Sequence, residues 1–129
     1  MTWQDIRYFS PSEFDSPDLP GSGETEMQLP FVARLDMARH LAGIPFHVNS
    51  GFRSPSHHDH LTAQGYHTAV DSPHLRGWAA DIHAPNSTAR FKIIDALLNV
   101  GFNRVGVAKT FIHCDMDPNK TPAVIWLYR

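Results

Sequence analysis

The sequence predicts an α+β domain, a small and mainly antiparallel sheet with helices packed around it. Two short segments, residues 79–84 and 111–116, alternate with the period of a strand. Two longer ones, 30–41 and 86–100, repeat apolar residues at helical spacing and stop at Gly43 and Gly101. The chain has 129 residues, 42% of them hydrophobic, which is enough for one modest core and a single domain spanning 1–129.

Taken in order, Ser10-Pro11-Ser12-Glu13 reads as a helix start. Ser10 is the N-cap, Pro11 takes the first helical position, Glu13 closes a capping box, and Phe9 and Phe14 sit at staple positions. Residues 15–26 hold Pro17, Pro20, Gly21 and Gly23 and read as a surface loop. In the helix over 30–41, Phe31, Leu35, Ala38 and Leu41 form the apolar stripe. Residues 45–49 read as a strand that delivers Arg53. Residues 54–73 predict a short helix and a long loop bordering a site, with His57, His58, His60 and His67 among small and polar residues.

The strand at 79–84 puts Ala79, Asp81 and His83 on one face. Asn86-Ser87 then caps a helix whose core face is read as Phe91, Ile94, Leu97 and Leu98. The strand at 111–116 puts Phe111, His113 and Asp115 on one face and Ile112, Cys114 and Met116 on the other. A turn at 117–120 and a last strand at 123–128 complete the chain.

His74, Asp81 and His113 carry the chemistry. Two imidazoles and one carboxylate are the ligand set of a catalytic Zn²⁺ that keeps one position open for water. If the two strands pair, Asp81 and His113 meet across the ladder. His74 then comes from the segment before, where Gly77 permits the turn that brings it over the sheet. His57, His58 and His60 form a rival cluster, but no strand supplies them a third partner, so they read as residues on a loop face near the groove. His83 is either a residue that orients a ligand or touches substrate, or a solvent-facing strand histidine. Cys114, the only cysteine, points away from the metal and reads as a buried structural thiol that is no ligand.

Ser72-x-His74-x-x-Gly77-x-Ala79-x-Asp81, then His113-x-Asp115, with Ser50-Gly51-Phe52-Arg53-Ser54 upstream, resembles the zinc D-Ala-D-Ala carboxypeptidase and peptidoglycan endopeptidase family M15. The opening Tyr8-Phe9-Ser10-Pro11-Ser12-Glu13-Phe14 is similar to that of its phage and prophage members. The resemblance implies a hedgehog/D-Ala-D-Ala peptidase-like fold and Zn²⁺ held by His74, Asp81 and His113. It places Arg53 beside the metal, where a guanidinium stabilises the charge on the reacting carbonyl oxygen. It also places Ser72 near a substrate terminus, although a turn or cap hydroxyl is the competing reading. Many members carry an acidic residue three positions before the last histidine; Thr110 stands there and cannot act as a base. Asp115 shares a strand face with His113 and holds the acidic position of His-x-Asp found in other members, so it is the expected general base, the alternative being that it only orients a ligand or Arg53. Trp78 and Trp126 could wall the groove or simply fill the core.

A net charge of −2 with nine histidines leaves no basic stripe for nucleic acid. No segment approaches 18 apolar residues, so no membrane insertion is expected. The start Met1-Thr2-Trp3-Gln4-Asp5-Ile6-Arg7 shows no secretory signal. The resulting expectation is a monomeric, endolysin-like zinc peptidase of peptidoglycan peptides. It would be made in the bacterial cytoplasm and reach the wall after release or on a phage particle. The alternative is an inactive, zinc-stabilised wall-binding or phage structural module.

Overall fold

A computed structural model describes residues 1–66 and 68–128. His67, expected on the loop bordering the site, lies outside the described residues. The helices are α1 (Ser22–Glu26), α2 (Leu29–Ala42), α3 (Pro55–Ala63) and α4 (Ser87–Asn99), with one-turn 3₁₀ helices at Trp3–Asp5, Pro11–Phe14 and Pro73–Arg76. The strands are β1 (Val48–Ser50), β2 (Ala79–His83), β3 (Arg104–Val107), β4 (Phe111–Asp115) and β5 (Val124–Leu127).

The strands form one sheet in the order β1-β2-β4-β3-β5. All neighbours are antiparallel except β3 and β5, which run parallel. The fold is α+β with a small, mainly antiparallel sheet, as the alternating segments predict. One face carries Ala80, Ile82, Val105, Ile112 and Cys114, all fully buried, and belongs to the core that Phe31, Val32 and Leu35 of α2 and Ile93 and Leu97 of α4 complete. The other face carries the polar members of β2 and β4.

Local chemistry explains most element ends. The Ser10 N–H donates to Glu13 Oε2 at 2.8 Å, and the Phe9 and Phe14 rings meet edge to face at 5.4 Å, so capping box and staple both form. The helix they start is a single 3₁₀ turn. Gly43 ends α2 in the left-handed region, and the Asn86 side chain caps α4 by accepting from the Ala89 N–H at 2.9 Å.

Four expectations need correction. The 15–26 segment contains α1, because the Asp15 carboxylate accepts from the Gly21 and Gly23 N–H groups and gathers the chain into a turn of helix. The α4 core face is Ile93, Ala96 and Leu97, with Phe91 70% and Leu98 45% exposed. The helix is rotated from the expected stripe because the sheet and α2 decide which side is covered. Leu41 of α2 is likewise exposed, while Val32 is buried. Finally, β3 was not expected: Arg104-Val105-Gly106-Val107 is short and holds a glycine, but it lies between β4 and β5 and joins them.

Candidate metal centre

The register places the site. Asp81 of β2 pairs with His113 of β4, His113 with Gly106 of β3, and Gly106 with Trp126 of β5, so one row crosses four strands. His74 enters from the Pro73–Arg76 turn. Ser72 caps that turn by accepting from the His74 N–H at 3.2 Å, and Gly77 closes it at φ +75°. A Cβ at Gly77 would lie 2.1 Å from the Glu26 carbonyl oxygen, so no other residue fits there.

Among the described residues, His74, Asp81 and His113 offer three donor atoms that all lie within 4.8 Å of one another. Asp81 Oδ1 is 2.9 Å from His113 Nδ1 and 3.3 Å from His74 Nε2. The opposite nitrogen of each imidazole is already committed. His74 Nδ1–H donates to the Gly51 carbonyl at 2.8 Å, and His113 Nε2–H donates to Asp115 Oδ2 at 2.7 Å. Fixing the outer nitrogen sets the ring orientation and leaves the inner one to bind a cation. Burial acts against charge at both Asp81 and His113, but their neighbours outweigh it. His74, then His113, holds Asp81 well below the usual carboxylate range, and Asp115, then Asp81, pushes His113 up to about 9. A buried carboxylate that stays ionised beside the inner nitrogens of two imidazoles fits a divalent cation, which would take the place of the proton on His113 Nδ1.

Asp115 does not stand where the expected base would. It is fully buried, with Oδ2 on the outer nitrogen of His113 and Oδ1 accepting from Arg104 Nε at 2.7 Å and from the Asp117 N–H at 3.3 Å. Burial raises its pKa, and His113 and Arg104 outweigh that and lower it. Both oxygens are engaged away from the inner nitrogen of His113, an arrangement that suits the orienting alternative, although Asp115 also lines the cavity. Arg104 was missed with β3. Its alternation with Val105 was the available signal. Its guanidinium also donates to the Thr121 carbonyl at 2.5 Å and lies 5.1 Å over the Trp126 ring.

The centre opens into a cavity of about 320 Å³ whose lining includes Arg53, Ser72, Phe111, Lys120, Trp126 and Tyr128. Arg53 is 9% exposed and its Nε has no hydrogen-bond partner among the described residues, although its backbone N–H is tied to the His74 carbonyl at 3.0 Å. Burial lowers its pKa and the charge of Asp81 opposes this. A buried guanidinium with an unused donor at a cavity wall is suited to an oxygen ligand. Trp126 leans toward His113, with ring centroids 5.4 Å apart, and Gly106 makes that possible. A Cβ there would fall 2.6 Å from Tyr128 Cε2 and 2.7 Å from Trp126 Nε1. Trp126 thus walls the groove, whereas Trp78 packs against the core.

The remaining candidates lie elsewhere. His83 is exposed, beside His47 at 6.2 Å, and does not line the cavity. His57 and His60 stack on each other at 6.3 Å on α3. His58 is buried, with Nδ1 3.3 Å from Arg53 Nη1, a contact that nothing in the spacing announced. Cys114 is buried on the helix side of the sheet, its thiol directed to the Ala80 carbonyl.

Two imidazoles and a carboxylate with locked outer nitrogens, at the floor of an open cavity, define a candidate metal centre of hydrolytic type. The chain belongs to the peptidase M15 family, whose model matches residues 9–115, and that membership implies a metallopeptidase. No curated protein matches the chain. Among the described residues, no helix is long and apolar enough to cross a membrane.

Proposed function

We propose that this protein is a zinc peptidase acting on the peptides of bacterial peptidoglycan. The observation that carries the reading is the coincidence of the His74–Asp81–His113 donor set with the uncommitted Arg53 Nε in one cavity. His74, Asp81 and His113 hold the ion. Bound zinc supplies Lewis acidity toward the carbonyl and lowers the pKa of water to about 7.

The chain's own residues do the rest. Asp115 holds His113 in the tautomer that presents Nδ1 to the ion, and Arg104 neutralises Asp115 so that the buried carboxylate is tolerated. Arg53 donates to the carbonyl oxygen as negative charge develops on it, which favours the transition state over the bound substrate. Ser72 shapes the site as the cap of the His74 turn, and its O–H remains able to donate to a peptide terminus. Trp126, Tyr128 and Phe111 give the peptide an apolar wall. The protein is read as a monomer that meets the wall after release from the cytoplasm or from a phage particle.

One observation favours a second reading, a zinc-stabilised wall-binding module. Thr110 offers no carboxylate, Asp115 is engaged, and among the described residues the other carboxylate lining the cavity is that of the candidate ligand Asp81. Incubating the zinc-loaded protein with purified sacculi decides between them. Peptide fragments released into solution, lost on chelation and restored by zinc, are expected, and their masses identify the bond cut. Binding of the fully loaded protein to sacculi without any release would overturn the peptidase reading in favour of the module.

A further inference from the structure

Arginine can only donate hydrogen bonds, so a buried guanidinium is held in place by the acceptors around it. Arg53 has few. Apart from Ser50 Oγ at 3.5 Å, its side-chain partner among the described residues is His58 Nδ1 at 3.3 Å. Neither partner is a carboxylate, which leaves the positive charge uncompensated by direct pairing and directed to the cavity. His58 in turn belongs to a well-anchored element. Pro55 starts α3, the Ser54 side chain accepts from the His57 N–H at 3.1 Å, and the same hydroxyl donates to the Asp18 carboxylate at 2.7 Å. The His58 N–H donates to the Ser54 carbonyl at 2.9 Å, and the residue is 6% exposed. Its acceptor nitrogen therefore has little freedom to move away from Arg53.

We propose that His58 is a positioning residue for Arg53. Its Nδ1 lone pair accepts from Nη1 and fixes the guanidinium plane, so that the unused donors face the oxygen above His74 and Asp81. The inference rests on the reading of Arg53 as the group that meets the reacting carbonyl. It requires the Nε2–H tautomer of His58, because a protonated Nδ1 has no lone pair to offer an arginine.

Two His58 variants, an Arg53→Ala background and one spectrum test it. His58→Leu removes the acceptor, whereas His58→Asn places an amide oxygen near the position of Nδ1. With zinc stoichiometry measured in each, His58→Leu should lower kcat on muropeptides by up to about 10²-fold, the order that a misplaced group costs, with KM little changed. His58→Asn should recover most of that loss. In an Arg53→Ala background, His58→Leu should add nothing. A long-range ¹H–¹⁵N spectrum of the zinc-loaded protein gives a readout independent of turnover: His58 should carry its proton on Nε2 alone, and its Nδ1 signal should move in Arg53→Ala.

Equal impairment of His58→Leu and His58→Asn, full multiplication of the His58 and Arg53 effects, or a proton on Nδ1 at neutral pH would each overturn the role of His58. Turnover of Arg53→Ala at the parent rate overturns the reading of Arg53 itself, and the proposal with it. Should the leucine variant fail to fold, the spectrum and the asparagine variant still decide.

Discussion

Asp115 Oδ2 meets His113 on Nε2, while Asp81 meets the same ring on Nδ1, so the imidazole is held between two carboxylates at 2.7 and 2.9 Å. The two contacts do different work. Asp81 stands on the side where His74 also points, and Asp115 stands behind, backed by Arg104.

Asp115→Asn should therefore act on metal binding. Loss of a carboxylate that orients a ligand histidine typically costs about 10–100-fold in affinity. Competition with a chromophoric chelator should show zinc held more weakly by that order. An unchanged affinity with lost turnover would restore Asp115 as the base.

His113→Ala removes one donor and leaves Asp81 and His74 as a pair. Zinc stoichiometry, measured on dialysed protein, should fall from one per chain to near zero. Retention of a full equivalent would remove His113 from the ligand set.

Arg53→Ala should leave zinc content at the parent level and reduce kcat by about 10²–10³-fold, the range seen when a donor to a developing oxyanion is deleted. Steady-state rates on muropeptides, with metal content measured in parallel, separate this from metal loss.

Gly106→Ala puts a Cβ 2.6–2.7 Å from the Tyr128 and Trp126 rings, too close for either to stay in place. Overpacking of this kind costs about 1–3 kcal/mol. Thermal unfolding should report a lower midpoint, and turnover should fall because the aromatic wall moves off His113. Parent-like stability and rate would show that the rings are not seated over β3.

Cys114 should be silent toward a thiol reagent in the native protein at pH 8. Burial, then the charges of Asp81 and Asp115, push its thiol well above the usual range, so little thiolate forms and none of it is accessible. Unfolding in denaturant should release one reactive thiol per chain, and fast native reaction would contradict the burial.

The strand alternation at 79–84 and 111–116 determined, by itself, that Asp81 shares a face with His83 and His113 with Asp115, because side chains on a strand alternate with period two; that Asp81 and His113 meet followed from the pairing of β2 with β4. The Gly77 turn that returns His74 and the capped starts at Ser10 and Asn86 were legible for the same kind of reason: caps and left-handed glycines are local chemistry. What lay behind the site was not local. Arg104 reaches Asp115 only because β3 inserts between β4 and β5, whereas His58 meets Arg53 across five residues, through the way the chain turns at Ser54 into α3. The outward turn of Phe91 and Leu98 has the same origin, since a helix with apolar residues around much of its girth leaves the choice of buried side to the surface it packs on. The contacts of Asp115 depended on tertiary structure in the same way. Its position on the strand put it beside His113, but which imidazole nitrogen it met, and whether an oxygen stayed free for a proton, followed from the ring's orientation and from an arginine on another strand.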